Sequence, residues 1–345
     1  MVETLGLIYP DDWHVHVRED EMLDDVLHYT ETAFARALLM PNTRAGIKTV
    51  GEKRQYQAQV GSVQTRRTFR PFFTLKLTPE TTPQVVVEAN EEADILALKY
   101  YPEGVTTGSH NGVSSIESIE DVLEKMEEVG LALSVHAAMP GSELLDEEED
   151  FISVLTRITE EFPSLRLIVE HISTAAMLQW VMDQDENVAG SITLHHLLLT
   201  TSDVLGRSHN FCKPVANSAH DRQSLLEAVF DGENTRLIFG SDSAPHLRSA
   251  KETVEASAGV FSAPVLLPRL WQLFVEELGS VDEAIAPFEM FTARNGASFY
   301  HLPLNEGRIK LSRLTWHVDK GIVGKAGCYV PFLAGEAIDW QVVAA

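Results

Sequence analysis

The sequence predicts an α/β fold, a (β/α)8 TIM barrel, and three observations support this prediction. Eight short apolar runs recur along the 345 residues, and amphipathic segments separate them. Most of the runs are too short for helices and several are rich in Val, Ile and aromatic residues, which is typical of strands. No linker or repeat divides the chain, so eight alternating strand and helix units favour one closed parallel barrel.

The eight predicted strands follow one another along the chain. They are Trp13–Val17, Ala37–Pro41, Arg70–Leu75, Ile95–Tyr100, Leu131–His136, Arg166–His171, Val188–Leu194 and Arg236–Ser241. The clearest helix is predicted at Ile116–Val129, where apolar residues recur at helical spacing. Ser114 and Glu117 have capping-box spacing at its start, and Gly130 suits its end.

Two longer segments are predicted to lie outside this regular alternation. About 40 residues separate the last two strands, and a gap of that length is expected to carry a functional loop. The tail from Phe299 is interrupted by Pro and Gly, and it is expected to pack on the outside of the barrel. The sequence therefore predicts a single domain over residues 1–345 with a C-terminal extension.

The charge and the cysteines exclude several classes of protein. The chain has 27 Lys and Arg against 51 Asp and Glu, a net charge of -24, with no basic segment, which argues against nucleic acid or an anionic membrane as a partner. Its two cysteines, Cys212 and Cys328, have no C-x-x-C spacing. A disulfide scaffold and a zinc site built from cysteines are therefore not expected.

The sequence is also expected to be that of a cytoplasmic protein. The first residues, Met1–Leu5, lack the basic start and apolar core of a signal peptide. The most apolar long stretch, Ala258–Leu278, contains two prolines and three charged residues, so a membrane-spanning helix is not predicted there.

Side chains that suit metal chemistry recur at the carboxyl ends of the predicted strands. They are His14, His16, Lys99, His136, His171 and Asp242. An H-x-H pair projects both imidazoles to the same face of a strand, although such a pair alone is as often structural. Because active sites of this barrel assemble at the carboxyl ends of its strands, the six together favour a metal site. Imidazole and carboxylate ligands suit Zn²⁺.

The chain resembles the short, monofunctional dihydroorotases of the amidohydrolase superfamily over nearly its whole length. Seven motifs in order carry the resemblance: Asp12–Arg18, Met40–Asn42, Lys99–Thr107, Val135–His136, Glu170–Thr174, Asn210–Val215 and Gly240–His246. The implied activity is the reversible zinc-dependent cyclisation of N-carbamoyl-L-aspartate to L-dihydroorotate, with loss of water, in pyrimidine biosynthesis. The resemblance also implies a homodimer.

The resemblance implies two Zn²⁺ ions per chain. His14 and His16 would hold one ion with Asp242, and His136 and His171 would hold the other. An ammonium repels metal ions, so Lys99 would act as N6-carboxylated lysine and bridge the pair together with a hydroxide. Asp242 would be the catalytic residue, first accepting a proton and then donating it to the leaving nitrogen.

The resemblance also implies how the substrate is bound. Arg18, Asn42 and His246 would hold the α-carboxylate, and a guanidinium can grip a carboxylate with two hydrogen bonds. Thr106 and Thr107 would lie on a loop that closes over the substrate. From the residues alone, a plain turn is the favoured interpretation of the two threonines.

Two other functions stay open at this stage. A related cyclic amidohydrolase of the hydantoinase or dihydropyrimidinase type shares the metal ligands, although Arg18, Asn42 and His246 argue against it. A catalytically inactive homologue is less favoured, because all six candidate ligands are present. The chain departs from the family pattern at Ala137 and Ala138, where Gly-Glu is usual, and this puts metal affinity or rate in doubt.

Several further residues receive an interpretation without a catalytic role. His195 and His196 follow the seventh strand and are assigned to packing or to the surroundings of the site. Cys212 is interpreted as a small buried hydrophobic residue. The acidic run Asp146–Asp150 is expected to be a solvated helix start, with a calcium site as the minor alternative.

Overall fold

A computed structural model describes residues 4–106, 109 and 111–343. In chain order, its strands are β1 (Thr4–Ile8), β2 (Asp11–Val15), β3 (Arg36–Leu39), β4 (Arg70–Lys76), β5 (Ile95–Tyr100), β6 (Ala132–Val135), β7 (Leu167–Val169), β8 (Val188–Ile192), β9 (Leu237–Phe239), β10 (Arg308–His317), β11 (Ile322–Val323), β12 (Cys328–Tyr329) and β13 (Ala337–Val342).

The helices separate the barrel strands and also follow them. They are α1 (Asp20–Ala33), α2 (Val50–Val63), α3 (Pro83–Glu91), α4 (Glu120–Val129), α5 (Glu147–Asp150), α6 (Ile152–Glu161), α7 (Ala175–Met182), α8 (Leu194–Leu198), α9 (Thr201–Val204), α10 (Ala219–Phe230), α11 (Arg248–Lys251), α12 (Leu266–Leu278), α13 (Val281–Glu289) and α14 (Asn295–Phe299). Short 3-10 helices lie at Ile116–Ser118 and Ser208–Asn210, and a π-helix at Met290–Arg294. No helix of the described part of the chain is both long and apolar enough to cross a membrane.

The eight strands β2 to β9 form one parallel sheet in sequential order. Backbone hydrogen bonds bring the last strand back to the first: His16 N donates to Ser243 O at 3.0 Å, and Asp242 N donates to His14 O at 2.8 Å. The predicted α/β barrel is therefore confirmed, and each of the eight predicted runs overlaps one of these strands.

The inside of the barrel is filled by a layer with one apolar residue from each strand. These are Trp13, Leu38, Phe72, Ala97, Ala132, Ile168, Ala189 and Ile238, and all are buried. Such layers make the barrel a packed core instead of a pore. Tyr300 packs on this layer, with its ring centroid 4.9 Å from that of Trp13.

The helix predicted at Ile116–Val129 differs at its start. Residues Ile116–Ser118 form a 3-10 turn, and α4 begins only at Glu120, with Ile119 as its N-cap and no side-chain cap. The predicted capping box is therefore wrong, because the chain approaches the helix through a tighter turn. Gly130 does end the helix, in the left-handed conformation with φ of 73° that glycine adopts without strain.

The C-terminal tail packs on the outside of the barrel, as predicted. Its strands β10 and β13 pair antiparallel, and β13 contacts α12, where Asp339 N donates to Gln272 Oε1 at 2.8 Å. The third strand of this sheet is β1, which pairs with β10 from Thr4↔Ser312 to Ile8↔Arg308. The sequence analysis missed β1, because its partner lies about 300 residues away and a lone edge strand carries a weak pattern.

Candidate active site

A cavity of about 270 Å³ opens at the carboxyl ends of the barrel strands. Nine of the predicted site residues line it: His14, His16, Arg18, Asn42, Thr106, His136, His171, Asp242 and His246. Lys99 is completely buried and does not line this cavity. Thr107 lies outside the described residues. The structure thus brings together side chains from six strand ends and the loops that follow them, as the rule for this barrel predicts.

One group of possible metal ligands surrounds the Asp242 carboxylate. Asp242 Oδ1 lies 3.1 Å from His16 Nε2 and 3.4 Å from His14 Nε2. The three donor atoms are close enough to hold one ion. Burial lowers the pKa of His16 to about 4, against the opposing effect of Asp242. A neutral imidazole of this kind has the free lone pair that a metal ion requires.

A second pair of histidines lies beside the first group. His136 Nδ1 and His171 Nε2 are 3.0 Å apart, and the two rings are 4.6 Å apart at their centroids. Burial lowers the pKa of both imidazoles well below the usual range, and neighbouring positive charges lower it further. The His171 ring is also 5.2 Å from that of His14, so the pair adjoins the first group.

Lys99 presents an unusual amine at the end of β5. Its Nζ is buried and has no hydrogen-bond partner among the described residues. Burial lowers the pKa of Lys99 to about 8, although Glu170 and Asp242 favour the charged form. A buried cation without a hydrogen-bond partner is costly. Burial therefore disfavours the ammonium form of Lys99.

Glu170 is a site residue that sequence reasoning quoted in a motif without giving it a role. Its Oε2 lies 2.9 Å from His14 Nδ1, and Ser134 and Ser191 donate to its two oxygens at 2.5 and 2.6 Å. Burial opposes the charged form of His14, but the Glu170 and Asp242 carboxylates together outweigh burial and raise the pKa of that imidazole. A carboxylate on the far nitrogen of a histidine fixes the ring and turns its other nitrogen toward a metal.

The backbone is strained at three of the site residues. Arg18, His171 and Asp242 have φ of 61°, 43° and 41°, a region that non-glycine residues rarely adopt. These conformations turn the side chains inward just where the strands end. Strain of about 1–3 kcal/mol at each position must be offset by the surrounding contacts.

Three other side chains of the cavity, Arg18, Asn42 and His246, suit an anion. Arg18 Nε donates to Pro245 O at 2.8 Å, and its Nη2 lies 3.1 Å from His246 Nε2. Burial and the Arg18 charge lower the pKa of His246 to about 3, so this imidazole is neutral. The Tyr101 hydroxyl donates to Asn42 Oδ1, which occupies the amide oxygen and leaves an NH₂ donor.

Lys213 is a second cavity residue without a predicted role. It lies in the long segment between β8 and β9, directly before a cis-proline. Its Nζ donates to Val105 O at 2.8 Å and lies 3.5 Å from Glu147 Oε1. Lys213 therefore connects the loop after β5, which carries Thr106, to the segment after β8.

The acidic run is only in part the solvated helix start that was expected. Glu147–Asp150 form α5, but Glu148 is buried and accepts hydrogen bonds from both the backbone and the hydroxyl of Ser173. The helix thereby holds the loop that follows His171. The sequence could not show this contact, because Glu148 is surrounded by acidic neighbours that do face the solvent.

Comparisons with known proteins agree with this architecture. The family model for the amidohydrolase family matches residues 4–310. A dihydroorotase from Aromatoleum aromaticum is 37% identical over 357 residues, covering 99% of this chain and 100% of that protein. The crystal structure of a dihydroorotase in complex with 5-fluoroorotic acid from Saccharomyces cerevisiae has a TM-score of 0.90 at 29% identity and covers 99% of each chain.

An L-hydantoinase (dihydropyrimidinase) from Arthrobacter aurescens is more distant, with a TM-score of 0.78 at 17% identity over 99% of this chain and 83% of that one. This likeness shows a shared fold alone. The barrel, the site and the family match together define the class: the chain belongs to the amidohydrolase family. Within that family it belongs with the dihydroorotases, hydrolases that act on the C–N bond of a cyclic amide.

Proposed function

We propose that this protein interconverts N-carbamoyl-L-aspartate and L-dihydroorotate with the help of two Zn²⁺ ions. The observation that carries the proposal is one cavity that is lined both by imidazoles around the Asp242 carboxylate and by an arginine, an amide and a further neutral imidazole. The first group suits metal ions, and the second suits a carboxylate.

The residues fit a pair of metal ions. Besides the His14, His16 and Asp242 group, the structure leaves His136 Nε2, His171 Nδ1 and Lys99 Nζ buried and without partners in the described chain. His14, His16 and Asp242 would hold one ion, and His136 and His171 would hold the other. Carboxylated Lys99 would bind both ions. When bound, the ions lower the pKa of water and polarise the scissile carbonyl.

Carboxylation of Lys99 follows from its surroundings. Only the neutral amine attacks CO₂, and burial lowers the pKa of Lys99 to about 8, which makes that form accessible. The new N–C bond converts the amine to an anionic carbamate and releases one proton. The product supplies two oxygens where the unmodified side chain has one nitrogen, and its negative charge suits two cations.

Asp242 is the proposed proton carrier. Burial raises the pKa of its carboxyl group, but the hydrogen bonds and charges of His14 and His16 outweigh burial and hold the pKa well below its usual range. In ring opening, the carboxylate accepts a proton from the attacking water and delivers it to the leaving amide nitrogen. One group then serves as base and acid in turn.

The anion-binding side chains orient the ring. Arg18, Asn42 and neutral His246 would bind the carboxylate beside the scissile amide. With the carboxylate anchored there, the carbonyl would be positioned beside the proposed metal ligands for attack. The yeast relative was solved in complex with 5-fluoroorotic acid, a ring with a carboxylate, and this supports a ligand of that chemical class. Thr106 and Thr107 are proposed to close over the bound ring.

The test compares two rings that differ by this carboxylate. The zinc-loaded protein should open dihydroorotate with a kcat/KM at least roughly 30-fold above that for dihydrouracil, because a buried charge-assisted contact is lost with the latter. Arg18→Met should raise KM for dihydroorotate while zinc content stays unchanged. Arg248→Met, outside the cavity, is the matched control.

Equal turnover of both rings would contradict the proposal and favour a hydantoinase-type activity. Failure to open either ring at full zinc content would favour an inactive homologue. The resemblance also supports a place in de novo pyrimidine synthesis, a cytoplasmic location and a homodimer. Light scattering of the purified protein checks the last of these.

A further inference from the structure

A second cluster of metal-binding side chains lies in the segment between β8 and β9 and shares no residue with the proposed catalytic ligands. His195 and His196 belong to the short helix α8, and Cys212 precedes the Lys213–Pro214 cis peptide. One donor atom from each of the three lies within 4.8 Å of the others, and all three side chains are buried.

His195 is the independent sign that the cluster is built for a ligand. Its side chain is 0% exposed, and neither ring nitrogen has a hydrogen-bond partner among the described residues. Burial of an imidazole without partners is destabilising, because each unpaired nitrogen has lost its hydrogen bonds to water. Its ring centroid is 4.7 Å from that of His196, so the two imidazoles lie side by side in the cluster.

The Pro214 carbonyl completes the arrangement. Pro214 O lies 3.1 Å from His196 Nε2 and 3.2 Å from Cys212 Sγ, and these two donors are 3.9 Å apart. Ligands of a tetrahedral zinc ion are separated by roughly 3.3–3.7 Å, given Zn–N near 2.0 Å and Zn–S near 2.3 Å. The separations among these three atoms therefore need only small shifts, and one His195 nitrogen lies within 4.8 Å of a donor atom of each of the other two side chains.

We propose that His195, His196 and Cys212 bind one thiophilic divalent ion, Zn²⁺, as a closed structural site, with Pro214 O as the fourth ligand. The spacing along the chain gave no sign of such a site, because its ligands are 16 residues apart and include only one cysteine. The fold brings them together by returning the segment past α8.

The protons balance in a simple way. Without an ion, the Cys212 thiol donates to Pro214 O, and burial raises the pKa of that thiol to about 12. Binding releases the thiol proton to the solvent and forms the sulfur–zinc bond. His196 shifts its proton from Nε2 to Nδ1, which lies 2.9 Å from Thr193 Oγ1 and can donate to it. A hydroxyl on the outer nitrogen is the usual kind of support for a metal-bound histidine.

The position of the site suggests its purpose. Cys212 adjoins Lys213, which lines the catalytic cavity and contacts the loop after β5. An ion at the cluster would fasten α8 to the segment that carries Lys213. Since all three side chains are buried, the ion would stabilise the fold and not react.

Cobalt substitution tests the site without relying on catalysis. None of the proposed catalytic ligands is a cysteine, so a sulfur-to-cobalt charge-transfer band in the Co²⁺-loaded protein reports on this cluster alone. We expect the band in the parent protein and in Cys328→Ser, the matched control, and its loss in Cys212→Ser. His195→Gln should lose the band or lower Co²⁺ affinity at least roughly 10-fold.

Zinc content provides the second measurement. After equilibration with zinc and a mild chelator, Cys212→Ser and His195→Gln should each hold one ion fewer per chain than the parent. Absence of the band in the parent protein would overturn the proposal, whatever the variants do. Persistence of the band in Cys212→Ser, or equal zinc in the parent and in a folded His195→Gln, would overturn it as well.

Discussion

Asp242 combines two properties at one carboxyl group, since it contacts two imidazoles and faces the cavity. Asp242→Asn keeps the shape but cannot carry a proton. We expect kcat for dihydroorotate opening to fall by about 10²–10⁴-fold in the variant, with little change in the circular dichroism spectrum. The rate is compared at equal, measured zinc content, because Asp242 is also a proposed ligand.

The surface variant Asp319→Asn is the control for the loss of one negative charge. Near-normal turnover of Asp242→Asn at full zinc content would require a different base. A variant that recovers activity only with added zinc would instead assign Asp242 to metal binding.

Lys99 makes a prediction that does not depend on turnover. Reconstitution with zinc in ¹³C-labelled bicarbonate should give one carbamate carbon resonance, because the buried amine needs a negative group to meet two cations. The resonance should be absent in Lys99→Ala and present in Lys76→Ala, a lysine that also lies on a barrel strand. An unmodified Lys99 in fully zinc-loaded, active protein would contradict the expectation.

At the scale of elements, the buried Glu148 of α5 makes the free energy of unfolding depend on pH. Burial raises the pKa of Glu148 to about 7, above its usual value, although hydrogen bonds from Ser173 lower it. The folded chain therefore binds this proton more tightly than the unfolded chain. Its stabilising effect is present below the unfolded pKa and is lost as pH rises through about 7.

Glu148→Gln removes this titration while its amide oxygen can still accept from Ser173. The parent should lose more unfolding free energy between pH 5 and pH 8 than the variant does, by up to about 3 kcal/mol. Urea denaturation at the two pH values, at matched zinc content, measures the difference. Glu149→Gln, on the exposed face of α5, should behave like the parent; an identical pH slope for Glu148→Gln would contradict the expectation.

Some elements of the fold could be predicted from the sequence and others could not. The barrel strands could be predicted because each is a short apolar run. The candidate site at their carboxyl ends could be predicted because polar residues follow those runs. The positive φ at His171 and Asp242 could not, since it results from contacts between neighbouring strand ends. β1 and the cluster of His195, His196 and Cys212 likewise depend on partners distant in sequence. The pattern of apolar residues within a short segment does not indicate such contacts.

At the scale of the whole molecule, the net charge of -24 opposes the proposed substrates, which are anions. Only a few cations, among them Arg18, Arg44 and Lys213, line the cavity. The field of the whole surface acts over a distance of about a Debye length, whereas these cations act within the cavity. The approach of substrate and its final binding therefore depend on charges of opposite sign.

Ionic strength separates these two effects. Salt screens the long-range repulsion of the surface more than the short contacts inside the cavity, so kcat/KM should rise with salt at low ionic strength. The rise should be larger for N-carbamoyl-L-aspartate, with two carboxylates, than for dihydroorotate, with one. Neutral dihydrouracil is the control for effects of salt on the protein itself. Rates that fall with salt for both anions would show that the cavity cations, and not the acidic surface, govern the approach.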